Sequence, residues 1–460
     1  MLEIKNLNLS YEGRGIFSNL SAIFRPGEIT VISGASGCGK SSLLKLINGI
    51  IPQFEKAEIE GEILFKGKSI RNEDVAERSA YISTVFQNPK NQFYAIDTRD
   101  EMAFALENRN LGTEEILACI DKYTELLGTK SLLDRNIFKL SGGEKQMVAI
   151  TAVSCMEQEI YLFDEPSSSL DRNAVERLRA ALKTLKDLGK IIIIAEHRLF
   201  YLRELMDALL ILRGEDPVIL EKTQIKEESI EKYGLRSLRE HFVKDLKAKG
   251  MEYEKIKAGG NTDTKNELLR CVDFKYPYFS KKRIFDFSIG FVPGVHFIIG
   301  ENGAGKTSFI RCLCDLNPSF FGKIYYKGKK VGKPSDLISL VMQDVNYQLF
   351  TESVWEELSL VSGDDERKKE VLKEFGLWEK REMHPQSLSG GEKQRLAIAL
   401  CMASDKPVVV LDEPTSGLCR KNMEKTADFI EKMRECKKLI IVISHDFEFI
   451  SCCKGRILEF

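Results

Sequence analysis

Gly34-Ala-Ser-Gly-Cys-Gly-Lys40-Ser41 and, far downstream, Gly300-Glu-Asn-Gly-Ala-Gly-Lys306-Thr307 are two copies of one pattern in a 460-residue chain. Each follows a short apolar, β-prone run, Ile29 to Ile32 and Val295 to Ile299. Each leads into a helix-like stretch, Ser42-Leu-Leu-Lys-Leu-Ile47 and Ser308-Phe-Ile-Arg-Cys-Leu313. A strand, a glycine loop and a helix N-terminus in that order make a phosphate cradle, because backbone N–H groups face the anion and the helix dipole adds favourable charge. The candidate phosphate-binding residues are thus Gly34, Ala35, Ser36, Gly37, Cys38, Gly39, Lys40, Ser41 and Ser42 in the first copy. In the second they are Gly300, Glu301, Asn302, Gly303, Ala304, Gly305, Lys306, Thr307 and Ser308. Lys40 and Lys306 suit β/γ-phosphates, and the hydroxyls of Ser41 and Thr307 suit Mg²⁺.

The repetition extends well beyond these loops. Leu140-Ser-Gly-Gly-Glu-Lys-Gln146 returns as Leu388-Ser-Gly-Gly-Glu-Lys-Gln394, and Leu162-Phe-Asp164-Glu165-Pro166 as Val410-Leu-Asp412-Glu413-Pro414. In both copies 23 residues separate the signature serine from the aspartate, and 33 separate that aspartate from a histidine, His197 or His445. The upstream interval from lysine to glutamine differs, 47 residues from Lys40 to Gln87 against 37 from Lys306 to Gln343, as loops allow. A duplicated module accounts for all of this. The runs Ile160 to Phe163 and Val408 to Leu411 read as buried parallel strands carrying acids at their carboxyl ends, where open α/β sheets place ligands. Asp164 and Asp412 then suit the Mg²⁺ shell, Glu165 and Glu413 suit a base acting on water, and His197 and His445 suit a γ-phosphate contact. The expected domains are residues 1–225, a charged helical and flexible connector over 226–266, and residues 267–460.

Composition narrows the setting. Sixty-eight basic side chains against 69 acidic ones leave a net charge of −1, without the basic footprint that nucleic-acid binding requires. No apolar run approaches the roughly 18–20 residues of a membrane span, and Met1-Leu-Glu-Ile-Lys lacks a signal peptide's layout. The eleven cysteines are scattered, which argues for reduced, structural thiols rather than a disulfide framework. Cys38 is the exception in setting, since a helix N-terminus and Lys40 both favour its thiolate.

The paired Leu-Ser-Gly-Gly-Glu-Lys-Gln signatures resemble those of ATP-binding-cassette ATPases over nearly the whole chain apart from the connector. That resemblance implies two P-loop cassettes in tandem, each a mainly parallel α/β core sheet with a helical signature subdomain, using ATP and Mg²⁺. It implies an aromatic on adenine, matched by Tyr11 and Tyr276, and a glutamine reaching nucleotide and metal, matched by Gln87 and Gln343. It also implies composite sites in an intramolecular cassette dimer, Ser389, Gly390 and Gly391 completing the first and Ser141, Gly142 and Gly143 the second. Phe86-Gln-Asn-Pro-Lys-Asn-Gln92, Asp100-Glu-Met-Ala-Phe-Ala-Leu-Glu-Asn108 and Ala195-Glu-His197-Arg-Leu199 are similar, more narrowly, to energy-coupling-factor ATPases. These are cassettes of importers for vitamins or transition-metal ions. The resemblance then implies an integral-membrane coupling subunit, a substrate-capturing membrane subunit, no nucleic acid, and a peripheral position on the cytoplasmic face of the membrane.

Two departures suggest that the halves are unequal. Cys419 stands where the family has the aspartate seen at Asp171, and Met147 stands where the second half has Arg395. Two other readings exist: a tandem cassette acting on ribosomes or nucleic acid, and a tandem sugar-importer cassette. The first normally has a longer, strongly basic arm, and in the second one half usually loses its motifs; neither holds here.

Overall fold

In the computed structural model the chain forms two compact units, Met1–Glu240 and His241–Phe460. The structure describes every residue except 169, 215, 258–259, 263–265, 278–282 and 318–319; for 261–262, 276–277 and 283–285 it describes the backbone alone.

The first unit is built on a six-stranded sheet. Its order is Val218–Glu221, Ala208–Leu212, Ile29–Gly34, Ile191–Ala195, Ile160–Asp164 and Ile82–Val85. All neighbours are parallel except the edge pair between Val218–Glu221 and Ala208–Leu212. Continuous runs such as Ile191-Ile-Ile-Ile194 form strands because β-branched side chains suit the pleat, and they are apolar throughout because both faces are covered. Ile192 and Ile194 pack into a core shared with the helices, whereas Ile191 and Ile193 pack into one shared with an antiparallel sheet. That second sheet runs Arg14–Phe24, Leu2–Tyr11, Glu58–Phe65 and Lys68–Ser69. Helices Thr98–Glu107, Thr113–Leu126 and Gly142–Cys155 form the helical part.

The second unit repeats the plan. Its sheet runs Glu252–Lys255, Arg456–Glu459, Val295–Ile299, Leu439–Ile443, Val408–Asp412 and Ile338–Val341, with every neighbouring pair parallel. A five-stranded sheet around Leu269–Pro277 covers one face, and helices Val354–Ser359, Asp365–Glu374 and Gly390–Ala403 supply the helical part.

The expected connector over 226–266 is not a separate element. Ile230, Leu235 and Leu238 are buried in the first unit's core, and Leu246 and Met251 in the second's. Glu252–Lys255 is the edge strand of the second core sheet. Its helix is two short ones, Glu227–Lys232 and Val243–Ala248, because Gly234 adopts φ 63° and ends the first. Much of the glycine-rich stretch 259–264 lies outside the described residues.

One buried cation stabilises the first unit. Arg78 is 2% exposed and donates to the carbonyls of Leu46, Ile47, Ile70, Arg71 and Glu73, so it closes the C-terminal end of the helix Lys40–Asn48. Removing it takes a hydrogen bond from all five carbonyls, of which Ile70 O still accepts from the Glu73 amide. Arg78→Met is therefore expected to cost the first unit about 3 kcal/mol, read as a lowered denaturant midpoint of its unfolding transition.

Candidate functional site

Both glycine loops leave the carboxyl end of a central strand and enter a helix at Gly39 (φ 97°) and Gly305 (φ 92°). Within each loop two kinds of glycine occur. A methyl group on Gly34 would meet the Leu212 carbonyl oxygen at 2.6 Å, and on Gly300 the Phe460 carbonyl oxygen at 2.7 Å, so these positions need a bare backbone. Gly37 and Gly303, at φ 80° and 86°, have nothing within 4 Å and leave a cradle open. The Ser36 hydroxyl is buried without a hydrogen-bond partner, a donor waiting for an acceptor in that cradle.

The lysines sit at the mouths of these loops. Lys40 Nζ lies 2.8 Å from His197 Nε2. An ammonium can only donate, so His197 accepts there and is neutral; burial and the charges of Lys40 and Arg236 hold its pKa well below the usual range. Lys306 instead donates to the carbonyls of Gly300 and Glu301, both at 2.8 Å. Behind Lys40, the Ser41 hydroxyl donates to Asp164 Oδ1 at 2.9 Å. Burial raises the pKa of Asp164 and pushes that of Asp412 up to about 6, against the hydrogen bond from Thr307 and the charge of Lys306. One hydroxyl and one carboxylate are a hard oxygen set that fits Mg²⁺.

Glu165 and Glu413 follow directly and are held at φ 44° and 49°, a left-handed backbone that costs about 1–3 kcal/mol in a non-glycine residue. Their amides donate to Ala195 O at 2.8 Å and Ile443 O at 3.0 Å, at the end of the neighbouring strand. The carboxylates thereby approach the histidines equally, Glu165 Oε1 to His197 Nε2 at 3.6 Å and Glu413 Oε1 to His445 Nε2 at 3.7 Å. Burial pushes the Glu165 pKa up to about 8. Gln87 donates from Nε2 to Glu165 Oε2 at 2.9 Å, which places it on that carboxylate rather than on the Ser41–Asp164 pair, while Gln343 is exposed.

The signature serines are helix N-caps. Ser141 accepts from the Glu144 amide and its own amide donates to Glu144 Oε2; the Ser389 amide donates to Glu392 Oε2. Gly142 and Gly390 have open space beside them. Gly143 is required by packing, since a methyl group would meet Ala174 Cβ at 2.6 Å, whereas at Gly391 it would meet Asn422 Nδ2 at 2.8 Å, the end of a side chain that can swing aside. Tyr11 ends its strand half-buried, and the Tyr276 side chain lies outside the described residues. Cys38 is half-exposed, and all eleven cysteines are free of disulfides.

Both departures have local explanations. Asp171 caps the helix Arg172–Asp187 by accepting from Ala174 N at 2.8 Å, and Cys419 makes no such cap for Arg420–Glu435. Met147 is buried in the core, whereas Arg395 donates to Phe375 O at 3.1 Å.

Residue reasoning missed the groups that hold these loops. Glu101 Oε2 accepts from the amides of Tyr94 and Ala95, and Glu357 Oε1 from those of Phe350 and Thr351. The signal was present, because both glutamates lie 14 residues beyond Gln87 or Gln343. Gln92 and Gln348 likewise accept from Phe86 N and Met342 N.

Against known proteins, the ABC transporter profile matches residues 17–168 and 287–416. A protein described as an ABC transporter ATP-binding protein of Treponema denticola is 38% identical, over 100% of this chain and 95% of its own. One so described from Sulfurisphaera tokodaii is 31% identical over 100% and 96%. A structure of ribosome-bound archaeal Pelota and ABCE1 matches with TM-score 0.67 at 23% identity, covering 98% of this chain and 76% of that one.

Two stability measurements probe this geometry. Glu165 ionises near 4.5 when unfolded and near 8 when folded, so its contribution is complete below 4.5 and is lost as pH rises through 8, by up to about 1.4 kcal/mol per unit. The unfolding midpoint of Glu165→Gln is expected to gain on wild type from pH 5 to 8 and to level off above; a constant difference would contradict the buried, protonated carboxyl. Cys419→Asp is expected to stabilise the second unit by about 1 kcal/mol through a new N-cap, and an unchanged denaturation curve would show that no cap forms.

Proposed function

The chain belongs to the ABC transporter family, and we propose that it is the ATP-hydrolysing component of a membrane importer for a micronutrient, either a vitamin or a transition-metal ion. Its two cassettes are ATPase domains that use ATP with Mg²⁺. We assign the open loops around Gly37 and Gly303, with Lys40 and Lys306, to the phosphates. Ser41 with Asp164, and Thr307 with Asp412, would hold Mg²⁺, which when bound neutralises phosphate charge. Glu165 and Glu413 would take the proton of the attacking water. His197, neutral and accepting at Nε2 from Lys40 at 2.8 Å, would shift its ring proton to Nε2 to donate to the γ-phosphate once Lys40 turns to the phosphates. Burial raises the Glu165 pKa to about 8, so it holds a proton more firmly than an ordinary carboxylate, which suits general-base duty.

The observation that carries the transport reading is a pair of exposed aromatic segments just beyond the glutamines. Tyr94 is 77% exposed in the first half, and Tyr347 and Phe350 are 82% and 73% exposed in the second. Buried Glu101 and Glu357 hold the backbone amides of these segments, at Tyr94–Ala95 and Phe350–Thr351. Large aromatics displayed on an anchored backbone suit docking to an apolar partner element. Their position after Gln87 and Gln343 links docking to the nucleotide. Among the described residues no helix is long and apolar enough to cross a membrane, so the pore of such an importer would belong to another polypeptide.

The ribosomal alternative rests on a likeness at 23% identity, which speaks to fold. The net charge of −1 offers little attraction to RNA. Purification of the tagged full chain from detergent-solubilised native membranes is expected to bring integral-membrane proteins with it. Tyr94→Asp combined with Tyr347→Asp and Phe350→Asp is expected to reduce that recovery at least fivefold with the unfolding temperature unchanged. Co-sedimentation with ribosomes and no integral-membrane partner would overturn the importer.

A further inference from the structure

Each half ties the loop bearing its glutamate to the loop bearing its histidine through a buried carboxylate, but the two halves take that carboxylate from opposite sides of the histidine. In the first half it is Glu196, immediately before His197 and 2% exposed. Its Oε2 accepts from the Ser167 hydroxyl at 2.6 Å and from the Tyr201 hydroxyl at 2.9 Å. Its Oε1 accepts from the amides of His197 at 2.7 Å and Arg198 at 3.1 Å. In the second half the residue before the histidine is Ser444, and the carboxylate is Asp446, immediately after His445 and 4% exposed. Asp446 Oδ2 accepts from the Thr415 hydroxyl at 3.0 Å, and Oδ1 from Phe449 N at 3.2 Å.

Ser167 and Thr415 occupy the same place, two residues after Glu165 and Glu413, and both are fully buried. The neighbouring residues change in step. Tyr201, whose hydroxyl serves Glu196, is matched four residues after the other histidine by Phe449, which has none. Arg198 stands where the second half has Asp446. A side chain cannot be moved two positions along the backbone by chance alone and still meet the same buried hydroxyl, unless meeting that hydroxyl matters. The outcome is alike in both halves, with glutamate and histidine 3.6 and 3.7 Å apart.

We propose that Glu196 and Asp446 are equivalent positioning residues for ATP hydrolysis, each locking Ser167 or Thr415 to the histidine loop so that base and histidine keep their separation. Their contacts are to the hydroxyls and amides of the two loops they join. Their removal lets the Glu165 and Glu413 carboxylates drift, and a displacement of about 1 Å at a reacting group costs on the order of 100-fold in rate. The glycine loops are held by other contacts, so nucleotide affinity is spared. This inference rests on the reading of Glu165 and Glu413 as the bases.

The test is steady-state hydrolysis of Mg·ATP by the full chain. Glu196→Ser combined with Asp446→Ser is expected to lower kcat at least tenfold while KM for ATP stays within threefold. Exchanging the flanking residues between halves, E196S, R198D and Y201F together with S444E, D446R and F449Y, is expected to bring kcat back to within threefold of wild type. Ser167→Ala with Thr415→Val leaves both carboxylates in place and is expected to lower kcat in the same sense, so the proposal stays testable if the exchanged chain does not fold. An unchanged kcat in the serine pair, a loss confined to KM, or an exchanged chain that folds without recovery would each overturn it. Glu165→Gln with Glu413→Gln serves as the parallel control: full activity there would refute the assignment of the bases themselves.

Discussion

The hydrogen bond from the Glu165 amide to the Ala195 carbonyl, and its counterpart from Glu413 to Ile443, is the constraint on which both sites depend. Each forces a glutamate into left-handed backbone at the end of one strand and fastens it to the end of the next. The registers make this effective. Asp164 pairs with Ala195, and Ala195 with Ile32; Asp412 pairs with Ile443, and Ile443 with Ile298. Three strand ends are thus level in each unit, so an aspartate, a glutamate and a histidine remote in sequence gather at one end of the sheet, with the glutamate 3.6 or 3.7 Å from the histidine and, in the first unit, Lys40 at 2.8 Å from His197. The transposed carboxylates of Glu196 and Asp446 hold the same junction one layer further out.

What lies away from that junction has diverged. Arg78 closes a helix in the first unit, while Pro334 stands four residues before the matching strand in the second. Asp171 caps a helix that Cys419 leaves uncapped. The edge of the first sheet is an antiparallel strand that follows the module, and the edge of the second is a parallel strand that precedes it. Such differences cost a few kcal/mol at most, and they fall where the sheet can absorb them without moving its carboxyl ends.

The two-module plan was legible because glycine loops between strand and helix, and acid pairs at strand ends, use particular residue types, and the offsets from signature to aspartate to histidine repeat as strands and helices of fixed length require. The continuous apolar runs announced parallel strands with both faces covered. The connector was misread for a physical reason: alternating charge and spaced apolar residues look alike whether a helix stands in solvent or packs against a core. Only the burial of Ile230 and Leu246 assigns the two parts to their units. The anchoring carboxylates went unnoticed because a glutamate beside a histidine, or one within an acidic helix start, has no pattern that separates structure from solvent exposure.

By itself, then, the sequence determined the two modules, their order, and the repeated spacing of glycine loop, signature, acid pair and histidine. Those follow from covalent spacing and residue chemistry. Tertiary structure decided that Gln87 lies on Glu165, that Lys40 rests on a neutral His197, that Gly143 serves packing while Gly142 lies open, and that Glu196 and Asp446 do one job from opposite sides. These depend on which atoms share a buried space, and burial sets both a carboxyl's pKa and its choice of partner.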